Sequence, residues 1–239
     1  MSIKSLLARA VLTAMFASHG ALLHAGSLQV APVLVVVPAP GAASTLKLRN
    51  EGDKPLDAQI RIFKWTQVNG ADQLTPSDEV AASPPAASLK PGTDYTVRVV
   101  RTIKEPVAKE ESYRLLIDEL PTAAAGAPAT VHIDLRYSIP VFFTVAGGAA
   151  PKLTWELQQR AGKPTIMVSN AGDRRIRLAK LKFTDGKGAV AYFGEGLAGY
   201  VLGHSSKSFD VPASAKGFGS GGLASLAALT EGGPIELKR

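Results

Sequence analysis

The sequence predicts an all-β protein made of two β-sandwiches, and three observations support this fold class. Apolar and polar residues alternate with a period of two along many short segments, as expected for strands with one buried face. Glycine, proline, asparagine and aspartate separate these segments, and helix signals are scarce. The chain has 239 residues, of which 46% are apolar, so it can form a core in one large domain or two small ones.

Residues 1–25 have the features of a secretory signal peptide. Lys4 and Arg9 precede a mostly apolar stretch, and the small residues Ala25 and Gly26 follow it. Polar residues interrupt the stretch too often for a membrane span, and a short amphipathic helix is the alternative. Removal of this leader lowers the formal net charge from +7 to +5. An exported chain without cysteine suggests the bacterial periplasm or the exterior.

The first predicted unit covers residues 26–145. Its expected strands are the apolar segment 27–38 and the alternating segments TLKLRN (45–50), AQIRIFKW (58–65), YTVRVVR (95–101), SYRLLIDEL (112–120) and VHIDLRYSIPVFF (131–143). The segment 74–94 is rich in proline and serine, so it is predicted to be a loop with at most one edge strand.

The small residues of 146–150 predict a hinge, and the second unit covers 151–239. Its expected strands are LTWELQQ (153–159), PTIMVSN (164–170), RIRLAKLKF (175–183) and KSFDV (207–211). LASLAALTE (223–231) is rich in alanine and leucine, but it is short and lies among glycines. A strand is therefore expected there as well.

The residue content argues against an enzyme. The absence of cysteine excludes disulfides, thiolate metal sites and cysteine nucleophiles. Beyond the leader only His132 and His204 remain, and neither lies beside a nucleophile elbow. Asp118 and Glu119 are neighbours on a strand, so they point to opposite faces and cannot flank one glycosidic bond. We expect no catalytic residue, no cofactor and no metal.

The basic residues are spread along the chain. Their densest cluster comprises Arg174, Arg175, Arg177, Lys180 and Lys182. No aromatic platform is interleaved with these charges, so nucleic acid is not an expected partner and a solvated strand face is the favoured interpretation. No segment beyond the leader approaches 18 consecutive apolar residues, so stable membrane insertion is not expected either.

Segment 131–143 is the most informative part of the chain. Every odd position in it is apolar, whereas Pro140 at an even position cannot donate a backbone hydrogen bond. Thirteen residues exceed the usual strand length, so part of the segment is expected to project past its own domain. A long apolar edge strand promotes aggregation unless a partner pairs with it. The alternative is an ordinary core strand with one unfavourable residue.

Five segments together resemble the periplasmic chaperones of the chaperone–usher pathway, particularly the archaic, Csu-type branch. They are LKLRN (46–50), RIFKWTQVNGADQLTPSDEVAASPP (61–85), VRVVR (97–101), YRLLIDELP (113–121) and LRYSIPVFF (135–143). The resemblance implies two immunoglobulin-like sandwiches at an angle, which hold pilin subunits in the cleft between them. It also implies donor-strand complementation of the pilin and its delivery to an outer-membrane usher. The alternative is a secreted two-domain fibre subunit or adhesin, because residues 26–38 are apolar enough for a donor segment.

The resemblance also implies that the two halves of the long strand have different roles. The residues expected to enter pockets of the pilin are Ala129, Val131, Ile133 and Leu135. The residues expected to belong to the core of the chaperone itself are Tyr137, Ile139, Val141 and Phe143.

The terminal carboxylate of a bound pilin needs a cationic partner. Classical members of the family carry an arginine in the first strand and a lysine late in the long strand. Here segment 27–38 has no basic residue, and Pro140 stands at the expected lysine position. The candidates are therefore Arg98 together with Arg136, and Arg101. The alternative is that all three face solvent.

Overall fold

The computed structural model describes residues 28–120 and 135–239, and every regular element within those ranges is a strand. The first ten strands are β1 (Leu28–Ala31), β2 (Val35–Pro38), β3 (Ala43–Asn50), β4 (Leu56–Val68), β5 (Ala71–Thr75), β6 (Val80–Ser83), β7 (Ala86–Leu89), β8 (Asp94–Arg101), β9 (Glu111–Leu120) and β10 (Arg136–Thr144). The remaining strands are β11 (Leu153–Arg160), β12 (Lys163–Asn170), β13 (Ile176–Asp185), β14 (Val190–Tyr192), β15 (Leu197–Val201), β16 (Ser205–Asp210), β17 (Leu223–Thr230) and β18 (Gly233–Lys238).

The first sandwich packs two sheets face to face. One sheet has the order β1-β3-β8-β6, and the other has the order β2-β10-β9-β4-β5 with β7 beside β4. Their inner faces form one core, which contains Leu46, Leu48, Ile60, Val97, Val99, Tyr113, Leu115, Ile117, Ile139, Val141 and Phe143. These residues alternate with outward-facing neighbours, so the period of two in the sequence is the pattern of burial.

The apolar segment near the start of the chain forms two strands that belong to different sheets. β1 pairs antiparallel with β3, whereas β2 pairs parallel with β10. Pro32 lies between them and has no N–H to donate, so a single continuous ladder cannot pass through this point. The chain therefore bridges the two sheets at one edge of the sandwich.

The prediction of a loop with at most one edge strand over residues 74–94 was wrong. Both β6 and β7 lie wholly within it. Val80 and Leu89 are fully buried and attach these strands to the core. Each strand has only four residues, and prolines follow β6, so the sequence pattern is too short to show the alternation.

The second sandwich packs the sheet β11-β12-β16 against the sheet β14-β13-β17-β18, with β15 beside β13. Its core contains Trp155, Ile166, Val168, Leu178, Leu181, Phe183, Val201, Phe209 and Leu226. The alanine- and leucine-rich segment near the end of the chain forms strand β17, as expected. The two-sandwich fold class is confirmed, whereas the exact limits of the two domains stay a prediction.

The two sandwiches meet through a second, smaller core. Trp65 of β4 and Phe142 of β10 pack against Tyr200 of β15 and against Leu202, and all four side chains are buried. We call this group the interdomain cluster. Within the part of the chain that the structure describes, no helix is long and apolar enough to cross a membrane.

Candidate functional site

Strand β10 has one free edge. It pairs with β9 from Arg136 to Phe143, but β2 pairs only with its last four residues, Val141–Thr144. Among the described residues, the stretch Arg136–Pro140 therefore has a neighbouring strand on one side only. We call this stretch the free edge. An unpaired strand edge is a template for another chain.

The backbone groups of the free edge alternate in direction. The carbonyl oxygen of Leu135 accepts a hydrogen bond from the N–H of Glu119 at 3.0 Å. In an antiparallel pair, alternate residues then point to β9, and the intervening Arg136, Ser138 and Pro140 point away from it. Pro140 has no N–H and lies where β2 begins to pair. The free edge thus offers N–H groups at Arg136 and Ser138 only.

The odd-numbered residues of β10 point into the first sandwich, as the period of two predicts. Ile139, Val141 and Phe143 are buried in the first core, and Tyr137 packs against it while donating a hydrogen bond to the carbonyl oxygen of Leu28. The even-numbered residues of β10 point to the opposite face of this sheet. We call this the outer face, and it is directed towards the second sandwich.

Of the four predicted donor residues, only one is described. Leu135 lies just before β10 and is half-buried. Ala129, Val131 and Ile133 lie outside the described residues. Their insertion into a pilin therefore stays a prediction.

The interdomain cluster forms the floor of the cleft between the sandwiches. The ring centroids of Trp65, Phe142 and Tyr200 lie 5.7–5.9 Å apart in tilted or edge-on contacts. Such contacts are favourable for aromatic rings beyond the area that they bury. The floor is apolar and closed, so a charged group above it is poorly solvated.

Arg114 is such a group. It lies on the outer face of β9 in register with Pro140, and its guanidinium carbon is 3.8 Å from the ring centroid of Trp65. Its Nη1 donates a long hydrogen bond of 3.3 Å to the carbonyl oxygen of Ser138, which points to the free edge. No described carboxylate forms an ion pair with it, and burial lowers the pKa of this guanidinium. Arg114 is thus a partly desolvated cation beside the free edge.

The structure does not bring Arg98 and Arg136 together. Arg98 lies on β8, and Val97 and Val99 on either side of it point into the core, so its exposed side chain leaves the sandwich on the opposite surface. Arg136 lies on the outer face of β10. The two arginines cannot hold one carboxylate jointly. The period of two predicts which face of a strand a residue occupies, but it does not predict the sheet to which the strand belongs.

Arg101 is buried and its guanidinium is fully engaged. Its Nε and Nη2 donate to the two carboxylate oxygens of Glu111, both at 2.9 Å, and its Nη1 donates to the carbonyl oxygens of Ile103 and Glu105. The hydrogen bonds to Glu111 raise the pKa of Arg101. Arg101 therefore holds the loop after β8 and presents no free donor pair to a ligand.

Arg175 departs from the expectation that the basic cluster is a solvated strand face. Its Nη1 donates to Glu110 Oε2 at 2.6 Å, and its backbone N–H donates to Glu110 Oε1 at 2.9 Å. Its guanidinium carbon lies 3.7 Å from the ring centroid of Phe142. Arg175 is therefore a structural contact between the two sandwiches.

The β4–β5 hairpin makes a further contact between the sandwiches. Gln67 donates to the carbonyl oxygen of Tyr200 at 2.8 Å and accepts from the N–H of Leu202 at 3.0 Å. The carbonyl oxygen of Gly70 accepts from the N–H of Ser208 at 2.8 Å. Gly70 has φ +77°, and a Cβ placed there would lie 2.0 Å from Ser208 Oγ, so only glycine fits this approach.

Of the two histidines beyond the predicted leader, the structure describes His204. Nε2 of His204 lies 2.7 Å from Asp173 at an exposed position, and His132 lies outside the described residues. In residues 28–120 and 135–239, no group of three or more histidine, cysteine, aspartate or glutamate side chains is arranged to hold a metal ion.

Comparison with known proteins adds the family. Residues 27–147 match the family model of the N-terminal domain of PapD, described as a pili and flagellar-assembly chaperone. Among curated proteins, no sequence matches this chain.

Solved structures match nearly the whole chain. One is from the complex of the chaperone CsuC with the tip adhesion subunit CsuE of the archaic chaperone–usher Csu pili of Acinetobacter baumannii. It is 26% identical, covers 88% of this chain and 98% of its own, and has a TM-score of 0.70. The Escherichia coli chaperone DraB is 21% identical, covers 90% and 96%, and has a TM-score of 0.58. The Salmonella enterica SafB chaperone in complex with the SafA pilin is a match of 18% identity and TM-score 0.60, covering 90% and 97%. The last two show the fold alone.

Proposed function

This chain belongs to the pili and flagellar-assembly chaperone family, and we propose that it binds pilin subunits at the free edge of β10. In this proposal the chaperone supplies a strand that the pilin lacks and delivers the subunit to an outer-membrane usher. The observation that carries the proposal is the free edge itself, which ends at a closed apolar floor beneath an arginine without an ion-pair partner among the described residues. No catalytic step and no cofactor are part of it.

The geometry of β2 supports the direction of pairing. β2 runs parallel to β10 and begins to pair at Val141. A pilin strand that ends above the cleft floor, at the level of Pro140, also runs parallel to β10. It then lies in line with β2 along the same edge. The missing N–H of Pro140 falls at the junction between the two, where the loss of one ladder hydrogen bond is least disruptive.

Arg114 is the proposed anchor of the pilin carboxylate, in place of the three arginines suggested by the sequence. Its stacking on Trp65 fixes the plane of the guanidinium, and its contact with Ser138 brings it to the free edge. A guanidinium can donate two parallel hydrogen bonds to a carboxylate. In a poorly solvated cleft, this pairing also fixes the register of the bound strand.

The donor residues are the other half of the proposed site. In this proposal the strand continues before β10, and its period of two then puts Leu135, Ile133, Val131 and Ala129 on the same side as the core residues Ile139 and Val141. Side chains on that side fill the groove of a pilin that lacks one strand, and each leucine- or isoleucine-sized group contributes about 1.5–3 kcal/mol when it is buried. The signal peptide that the sequence predicts at residues 1–25 supports a periplasmic location.

The fibre subunit or adhesin is not proposed, because the matched family is one of assembly chaperones.

Co-expression in a periplasm with a pilin subunit from the same organism tests the proposal. We expect a soluble 1:1 complex on co-purification, because a chaperone holds one subunit whereas a fibre subunit polymerises. The Ile133→Asp variant is expected to lose capture while remaining folded by circular dichroism. Thr130→Asp is the matched control, since its side chain is expected on the other face. Normal capture by folded Ile133→Asp contradicts the assignment of the donor strand.

A further inference from the structure

The outer face carries a second cationic site, which lies nearer than Arg114 to the N-terminal end of β10. Arg136 on β10 lies directly opposite Asp118 on β9, which in turn lies opposite Gln59 on β4. Nε of Arg136 donates to one oxygen of Asp118, and Nη2 of Arg61 donates to the other oxygen at 2.5 Å. We call these three residues the arginine–aspartate cluster. Two guanidiniums share one carboxylate, so the cluster has a surplus of one positive charge.

The aspartate of the cluster is ionised near neutral pH. Although burial by itself raises the pKa of Asp118, the hydrogen bonds from Arg136 and Arg61 lower it below its ordinary value. The side chain of Asp118 is 11% exposed, whereas that of Arg136 is 62% exposed. The inner partner is thus shielded, and the outer guanidinium presents unused donors to solvent.

The cluster borders a cavity of about 380 Å³ beside the first residues of the free edge, which Leu120, Leu135 and Glu119 also line. Glu119 lies between Asp118 and Leu120 on β9, so its side chain points to the other face of the sheet. Nε of Arg61 is buried there, and no described atom forms a hydrogen bond with it. A carboxylate of a bound chain that enters this cavity meets Arg136 at its rim. The site therefore has room for an acidic side chain and, at its rim, an exposed guanidinium with unused donors.

The spacing between the two cationic sites follows from the strand. Arg136 and Pro140 are four residues apart on β10, which is about 13 Å at about 3.3 Å per residue. Because an even separation preserves the face, both levels lie on the outer face. Between them lie Ser138 and Leu116, which carry no charge. The outer face thus has a fixed pattern of cation, neutral pair and cation.

We propose that the arginine–aspartate cluster binds an acidic side chain of the pilin, four positions before its terminal carboxylate. This inference rests on the proposed function, because the carboxylate at Arg114 sets the register from which the four positions are counted. A parallel strand whose last residue lies level with Pro140 brings the fourth residue before it level with Arg136. The side chain halfway between them lies beside Ser138, which is followed across the sheet by Leu116, and a small or apolar residue fits there. The chaperone then selects its subunits by a two-point charge pattern.

A display library of random twelve-residue peptides with free C-termini tests this pattern against the mature full-length chain. The expected result is enrichment of aspartate and glutamate at the fourth position before the end. A synthetic peptide with that pattern is expected to bind about fivefold more tightly than its glutamine analogue, the range of a partly exposed ion pair. The same peptide with a C-terminal amide is expected to lose binding.

Charge variants locate the effect. Arg136→Gln is expected to abolish the acidic preference, and Arg136→Glu is expected to replace it with a preference for lysine or arginine. Arg98→Glu is the matched control, since it is an exposed arginine on the opposite surface of the same sandwich. It is expected to leave the preference unchanged.

The outcomes separate the two proposals. Peptides that require a free carboxylate but show no preference at the fourth position overturn this inference and leave the proposed function intact. An acidic preference that persists in Arg136→Gln also overturns it. Selection of no peptide in preference to its amide overturns the anchor at Arg114, and this inference with it.

Discussion

Two arginines lie on the interdomain cluster in nearly the same way, yet their surroundings differ. Arg175 stacks on Phe142 at 3.7 Å and Arg114 stacks on Trp65 at 3.8 Å. Arg175 is paired with Glu110, whose side chain is 5% exposed, whereas no described carboxylate pairs with Arg114. A buried ion pair within one chain is a structural contact. Arg114 stacks at a similar distance but has no described carboxylate in ion-pair contact, and this difference is why we propose a ligand that supplies one.

The largest expected effect comes from removing the paired arginine. Arg175→Ala leaves Glu110 buried without its partner, which costs about 3–5 kcal/mol of the free energy of unfolding. Urea unfolding followed by tryptophan fluorescence measures the change. The exposed neighbour Arg174 provides the control, because Arg174→Ala is expected to change stability by less than about 0.5 kcal/mol. Equal effects of the two variants contradict the structural role of Arg175.

The unpaired arginine is expected to behave in the opposite way. Arg114→Gln breaks no ion pair among the described residues, so its free energy of unfolding is expected to change by less than about 1 kcal/mol. Its affinity for a pilin is expected to fall by about 2 kcal/mol or more, which is about thirtyfold in Kd. Titration calorimetry measures the affinity, with Arg98→Gln as control. Undiminished capture by Arg114→Gln means that the carboxylate is bound elsewhere.

Giving Arg114 an internal partner sharpens the comparison. Phe63 lies opposite Arg114 on β4, on the same outer face. Phe63→Glu is expected to make an intramolecular ion pair and to weaken pilin binding by about tenfold, since the pilin carboxylate must then displace it. Phe63→Gln removes the same ring without adding charge and isolates the electrostatic part of the effect. Identical affinities of the two variants contradict the electrostatic role of Arg114.

The smallest expected effect concerns an ion pair at the β4–β5 hairpin. Lys207 Nζ lies 2.6 Å from Asp72 Oδ2, and although burial acts to raise the pKa of Asp72, hydrogen bonds from Lys207 and Gln67 lower it. A depressed carboxyl pKa gives stability that is present above the unfolded value of about 3.9 and is lost as pH falls through the folded value.

Asp72→Asn is therefore expected to lower the melting temperature at pH 7 but not at about pH 2. The difference corresponds to less than about 1 kcal/mol, because the pair is partly exposed. Thermal unfolding followed by circular dichroism at both pH values checks this. A deficit of the variant that persists at low pH assigns the effect to packing rather than to charge.

The sequence predicts what depends on one strand at a time. The alternation along 131–143 correctly assigned Ile139, Val141 and Phe143 to the core, and the scarcity of helix signals correctly predicted an all-β fold. It could not predict which strands share a sheet. Arg98 and Arg136 were paired on the basis of chemistry, although their strands lie in opposite layers.

The contacts between the two sandwiches also could not be predicted from the sequence. Arg175 has the pattern of a solvated strand residue until Glu110 and Phe142 are placed against it. No sequence pattern singles out Arg114, because its proposed role depends on Pro140 of the adjacent strand and on Trp65. The pairing of segments 112–120 and 135–143 is the one signal that identifies it, and pairing is a long-range property.

Pro32 and Pro140 have a consequence for self-inhibition. The simplest way for this chain to cover its own free edge is to extend β2 at its N-terminal end, so that it also pairs with Pro140 and Ser138 of β10. Pro140 withholds the N–H that the first added ladder bond needs, and Pro32 lies where the chain leaves for the other sheet. β2 therefore cannot extend its pairing with β10, and it does not compete with an incoming subunit for the free edge. The covalent structure of two prolines thus prevents the chain from occupying its own binding site.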